Sequence, residues 1–167
     1  NLTTGATASS PVSGSPYVIV AALGTLAAGN YDFAFFNGEL TVTQAPLTVK
    51  ANDNTKVYGA PLPPFTVSYT GFGLGEGPGV LGGSLTFTGA TTSSPVGAYT
   101  ITPAGLTSGN YLITFMGATL TVTQASLTVT AENKSKTFGA SLPAFTATYA
   151  GFVGGETLAT SGVTGSP

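Results

Sequence analysis

Apolar and polar residues alternate with a period of two along most of this chain. Leu47, Val49 and Ala51 alternate with Thr48 and Lys50; Phe65, Val67 and Tyr69 with Thr66 and Ser68; Tyr111, Ile113 and Phe115 with Leu112, Thr114 and Met116. β-Branched and aromatic residues at that spacing predict half-buried strands. Tyr31, Phe33 and Phe35 form the same stripe, and Asp32 stands where Leu112 stands in the later stretch, which marks the opposite face as wet. Asn37-Gly38, between Tyr31–Phe36 and Glu39–Thr43, suits a type I′ turn, and Gly117-Ala118 suits type II′, so both sites predict two-residue hairpins. The apolar run Tyr17–Gly29 is too short and glycine-rich to span a bilayer. Its counterpart Tyr99–Gly109 reads as a buried strand running into a turn. The one helical candidate is Gly155–Ser161, with Glu156 suited to a helix N-terminus; the matching Gly75–Leu81 is rich in helix breakers, so a single turn is the most expected.

These elements recur in order. Leu40–Ala45 reads LTVTQA, and so does Leu120–Ala125, 80 residues later. Ala45–Phe72 matches Ala125–Phe152 without a gap. Thr4–Val12 matches Thr88–Val96, and Gly29–Tyr31 matches Gly109–Tyr111. The first copy carries extra residues near Ser13–Pro16 and Ala21–Ala28. Residues 45–124 thus form one complete unit, residues 1–44 the back half of a unit, and residues 125–167 the front half of the next. A period of this length signals an array of similar modules. Gly162–Pro167 followed by Asn1–Val12 also aligns with Gly79–Val96. Half a β-module has open strand edges and half a core. Each half is therefore expected to be completed by a neighbouring copy, with Pro167 meeting Asn1, either through a peptide bond in a longer polypeptide or by non-covalent complementation.

The expected fold is mainly β: small sandwich-like (immunoglobulin-like) modules, the alternative being a β-grasp-like sheet over one short helical turn. The links Gln44-Ala45-Pro46 and Gln124-Ala125-Ser126 leave little freedom, and Pro46 stiffens the first. Modules on such links form a semi-rigid beads-on-a-string rod, each adding on the order of 30–40 Å.

Composition narrows the function. Charged residues make up 6 % of the chain, against roughly 25 % in ordinary soluble domains. A net charge of −2 offers no basic footprint for nucleic acid or for a polybasic membrane contact. Cysteine and histidine are absent, which excludes a disulfide scaffold, a histidine-dependent triad and a conventional zinc site. Abundant Thr and Gly without Cys, His, Trp or Arg suit a long exported bacterial repeat protein. No catalytic residue, cofactor or metal is expected.

Four weaker candidates remain. Glu76 and Glu156 recur at matched positions; turn capping accounts for them better than acid–base work. Asn52-Asp53-Asn54 offers oxygens to calcium, but its counterpart is Glu132-Asn133-Lys134, so a hairpin turn is the better reading. Tyr58, Tyr69 and Phe72, matched by Phe138, Tyr149 and Phe152, could stack on sugars, though core packing explains them more simply. Lys56, Asn110 and Glu76, each repeated, are the ingredients of an intramolecular isopeptide cross-link.

An ordered set of motifs carries a resemblance: LTV-x-A and K-x-YG within Leu47–Gly59, YTGF at Tyr69–Phe72, Gly75-Glu76, SSPVGAY at Ser93–Tyr99, GNY at Gly109–Tyr111, and the closing LTVTQ. The later copy repeats it with Lys136–Gly139 and Tyr149–Thr157. Over its whole length the chain resembles the MBG domains (mostly β, glycine-rich) of large bacterial surface and secreted proteins. The resemblance implies tandem arrays in exported, adhesin-like proteins and brings no catalytic residues. The expected function is a structural repeat of an extracellular filament or giant adhesin shaft, its partners being neighbouring copies of itself. The alternative is a module that binds glycans or a cell surface.

Overall fold

The computed structural model describes residues 1–165; Pro167, expected at the junction between copies, lies outside them. The strands are β1 (Leu2–Thr4), β2 (Tyr17–Ala21), β3 (Gly38–Leu40), β4 (Ala45–Ala51), β5 (Asn54–Val57), β6 (Val67–Thr70), β7 (Gly82–Thr88), β8 (Gly97–Thr107), β9 (Tyr111–Met116), β10 (Ala118–Thr123), β11 (Thr128–Ala131) and β12 (Ala147–Ala150). Helical structure among the described residues is limited to 3-10 turns at Val12–Gly14 and Pro78–Val80. The protein is thus mainly β and built of several small sheets, consistent with a sandwich-like fold.

Two compact units cut across the repeat boundaries. One comprises Asn1–Asn52, Thr66–Thr88 and Thr102–Gly117; the other comprises Asp53–Phe65, Gly89–Ile101 and the chain from Ala118 on.

In the first unit β4 is the central strand. It runs antiparallel to β6 and parallel to β9. Its alternation is realised directly: Leu47, Val49 and Ala51 are buried, while Lys50 between them is exposed. Tyr111 joins Leu47 and Val49 in the core, with Val67, Tyr69, Phe72 and Phe115 packed against it. The ring of Phe72 meets Tyr111 edge-on at 5.4 Å and 83°, the geometry that aromatic quadrupoles favour. β1, β2 and β3 form an antiparallel sheet in the same unit, and β7 pairs with the C-terminal half of β8. Pro103 lies two residues past the last β8 rung with β10, on a stretch laddered to β7, where a missing donor is tolerated best.

In the second unit β10 is central, antiparallel to the N-terminal half of β8 and parallel to β5. Ile101, Leu120 and Val122 are buried hydrophobic residues of this unit. β11 pairs with β12.

Two pairings of the partial copies keep the register of the complete one, whereas β1–β2 is shifted by one residue, with Thr4 opposite Ile19 where Thr88 is opposite Thr102. Thr128↔Ala150 and Val129↔Tyr149 repeat Thr48↔Thr70 and Val49↔Tyr69. Tyr17↔Leu40 and Ile19↔Gly38 repeat Tyr99↔Leu120 and Ile101↔Ala118.

Several expectations are corrected. Neither predicted hairpin forms. β9 ladders with β4, whereas β10 ladders with β8 and β5, so Gly117 joins strands of different sheets rather than closing a two-residue turn. Likewise Asn52-Asp53 links β4 to β5, which are not partners. Tyr31–Phe36, the counterpart of β9, is not a strand, because no β4-like partner is laddered to it. Gly155–Ser161 makes a turn, closed by Ser161 N–H to Thr157 O at 2.9 Å, and no helix. The 3-10 turn forms instead at Pro78–Val80, where proline's missing donor falls at a position that needs none.

Candidate functional site

The K-x-YG motif builds a small scaffold. Ala60 N–H bonds to Val57 O at 3.1 Å, and Gly59 sits at φ +79°, the left-handed position such a turn requires. The Lys56 ammonium folds back over the turn, donating to Ala60 O at 3.0 Å and Thr92 O at 2.6 Å, and is only 6 % exposed. The later copy repeats the device: Ala140 N–H bonds to Thr137 O, and Lys136 Nζ donates to Ala140 O at 3.1 Å. Lys136 is exposed where Lys56 is buried.

This turn presents Tyr58, whose hydroxyl donates to Glu156 Oε1 at 2.6 Å. Glu156 belongs to the following copy, so the bond ties one repeat to the next within the second unit. In the first unit the matched glutamate does something different. Tyr111 Oη donates to Glu76 Oε2 at 2.5 Å and accepts the Gly73 N–H at 3.0 Å, all within one repeat. Both carboxylates accept from phenols, and this displaces the expectation that they cap turns. The sequence shows Tyr58, Tyr111, Glu76 and Glu156 plainly. It could not pair them, because the partners lie 35 and 98 positions apart.

Beside Tyr58 and Glu156 is a cavity of about 530 Å³, lined also by Gln124, Leu127, Phe152 and Val153. The Ser161 hydroxyl on its wall is shielded from solvent and has no hydrogen-bond partner among the described residues.

Both phenols titrate above their ordinary value. For Tyr58 the hydrogen bond to Glu156 is the main cause, followed by that carboxylate's charge and burial. For Tyr111 the bond to Glu76 dominates and outweighs the opposing Gly73 N–H. A folded-state value above the unfolded one gives a stabilisation that is complete below about pH 10 and is lost as pH rises through the raised value. The thermal midpoint is therefore expected to hold level from neutrality to about pH 10 and then fall. The Tyr58→Phe/Tyr111→Phe double variant should fall less steeply over the same range. Equal slopes in alkaline melting curves would contradict this assignment.

The other sequence candidates have separate partners. Asn110 Oδ1 accepts the Val12 N–H at 3.1 Å, Glu76 binds Tyr111, and Lys56 binds two carbonyls. The three isopeptide ingredients are thus each hydrogen-bonded to something else. Asn1 donates its ammonium to Ala22 O at 2.7 Å, extending the β1–β2 ladder. Gln44 Nε2 reaches Gly109 O at 3.2 Å; Ala45 and Pro46 are already part of β4, paired with Tyr111 and Leu112, so the first link lies inside a strand. Gln124 and Ala125 line the cavity, and Ser126 precedes β11. In the calcium candidate, Asp53 Oδ1 accepts the Thr119 N–H at 2.8 Å, and Asn52 Nδ2 donates to Thr66 Oγ1 at 2.9 Å. At the counterpart, the Thr146 hydroxyl and then Lys134 hold the Glu132 carboxyl below its usual range. Tyr69 and Phe72 pack against the core as expected, but Phe138 is fully exposed. No described helix is long and apolar enough to cross a membrane, which says nothing of strands.

No curated protein and no solved structure matches the chain. The family model for the MBG domain (YGX type) matches residues 47–121 and again 127–166. The first match takes in Tyr58-Gly59-Ala60, the turn that Lys56 closes, and both matches span the strand pair ending in YTGF or YAGF. With most of its length matched in two successive stretches, this chain belongs to the MBG domain family of the YGX type.

Proposed function

We propose that this chain is a structural repeat of an extracellular bacterial filament or giant adhesin shaft, joined in series through completion of its own β-modules, and that it has no catalytic role. The supporting observation is a pair of open, complementary strand positions. β11 has β12 on one side, repeating β4 and β6, but no strand takes the β9 place among the described residues. Tyr31–Phe36 has the β9 sequence pattern but no β4 partner. Transferring the β4–β9 register by 80 positions sets Ala125 against Tyr31, Leu127 against Phe33 and Val129 against Phe35. Phe33 and Phe35, exposed here, would then take the half-buried places of Ile113 and Phe115. Membership of a repeat-type family fits this reading.

The exposed aromatics favour it over glycan binding. Tyr31 and Phe138 are open at the very positions where the complete copy has Tyr111 in the core and Tyr58 half-buried. On the series reading a neighbouring repeat would cover both, with no sugar needed to explain their exposure.

Sedimentation velocity and electron microscopy of the purified chain test the proposal. Elongated oligomers that grow with concentration, dissociate to single chains on denaturing gels and are abolished by Phe35→Asp are expected. Monodisperse single chains at every concentration would sink it.

A further inference from the structure

We infer that the cavity beside Phe152 and Glu156 is a receptor slot for one tyrosine, Tyr31 of a second copy of this chain. The inference rests on the series-completion reading and names the side chain that would seat it.

The complete copy supplies the template. There Tyr111 fills the space beside Phe72, its hydroxyl held between Gly73 N–H and the Glu76 carboxylate, and it is 5 % exposed. Phe152, Val153 and Glu156 are the same three positions, 80 residues on, and all three line the cavity. Among the described residues no tyrosine takes the matching place in the later copy. Tyr31 is that residue in the first copy, preceded by Gly29-Asn30 as Tyr111 is by Gly109-Asn110. It is 78 % exposed. An exposed phenol on a segment with the β9 sequence pattern and a cavity with an acceptor in place fit as the two halves of one contact.

The chemistry of Glu156 leaves room for it. Tyr58 engages one carboxylate oxygen of Glu156, as Tyr111 engages one of Glu76. An ionised carboxylate has two oxygens and about four acceptor sites, so it can hold both phenols at once. Each glutamate in an assembled series would then accept one tyrosine from the preceding repeat and one from the strand that completes its own. Glu76 shows the second of these bonds and Glu156 the first. The shielded, unpartnered Ser161 hydroxyl on the cavity wall gives a further polar group to satisfy.

The test uses full-length chain carrying Tyr31→Ala, so that its own tyrosine cannot compete, and a fluorescently labelled synthetic peptide of residues 29–44. Fluorescence anisotropy should show saturable binding. The Y31F peptide should bind about tenfold more weakly, as expected for loss of a hydrogen bond to a charged acceptor. Glu156→Gln in the receptor should weaken the tyrosine peptide but leave the phenylalanine peptide nearly unchanged. Equal binding of the two peptides, or no binding, overturns the slot. Sedimentation of the unmodified chain is read in parallel. Self-association that is insensitive to both Y31F and E156Q removes the slot and leaves series completion standing. Absence of self-association removes series completion while the peptide titration still decides the slot.

Discussion

Leu47→Ala is expected to lower stability by about 3 kcal/mol, whereas Leu127→Ala, the same change at the matched position, should cost about 1 kcal/mol or less. Leu47 is 1 % exposed and lies on a strand laddered on both sides, with Tyr111 and Val49 around it. Removing its branched end leaves a cavity that the flanking strands cannot close, so both the transfer and the cavity terms apply. Leu127 is half-buried and sits just ahead of β11, which among the described residues is laddered on one side. Its truncation opens a site already partly open. Urea unfolding of the two variants beside the parent chain reads the difference. If copies associate in series as proposed, the gap should narrow, because Leu127 would acquire the neighbours that Leu47 already has. Equal losses in the dissociated chain would mean that the two copies are packed alike and that β11 has no open face.

Gly71→Ala should also cost about 3 kcal/mol or more, against about 1 kcal/mol for Gly75→Ala. Gly71 has φ +116°, and a Cβ there would lie 2.4 Å from Pro46 O and 3.3 Å from the Leu47 Cα. Both atoms are backbone of the central strand β4, which is fixed by rungs on its two sides and cannot retreat. The cost therefore combines dihedral strain with displacement of a core strand. Gly75 also has positive φ, +72°, but a Cβ there meets nothing within 4 Å, so strain alone remains. The later copy repeats the arrangement: Gly151 has φ +114°, and a Cβ there would lie 2.4 Å from Ser126 O. This explains in physical terms why YTGF and YAGF both keep the glycine. Thermal melts of G71A and G75A decide the point, and equal midpoints would refute the steric part.

Strand identity was legible because alternation is local: Leu47, Val49 and Ala51 declare a buried face whatever lies opposite. Strand pairing was not. Gly117-Ala118 has the chemistry of a hairpin turn, yet β9 finds its partner in β4, 66 residues earlier at Ala45↔Tyr111, and β10 pairs elsewhere. A short turn-like sequence permits a hairpin without requiring one. The buried face of β9 settles the matter, since it is satisfied by parallel pairing beside β4. The helical candidate reached the single turn expected of it and went no further, because one turn's worth of propensity is too little to form a helix without a packed face.

What the sequence determined by itself is the internal repeat, the β character of most segments (Tyr31–Phe36 excepted) and the lack of histidine and cysteine, because each of these is a property of residue order alone. What only the tertiary structure decided is which sheet each strand joins, that Lys56 closes the YG turn, and that two tyrosines of one repeat bind the matched glutamates of two successive repeats. The two tyrosine–glutamate bonds bring together residues that are 35 and 98 positions apart, and closure over such distances is governed by the burial of whole faces, not by any local pattern.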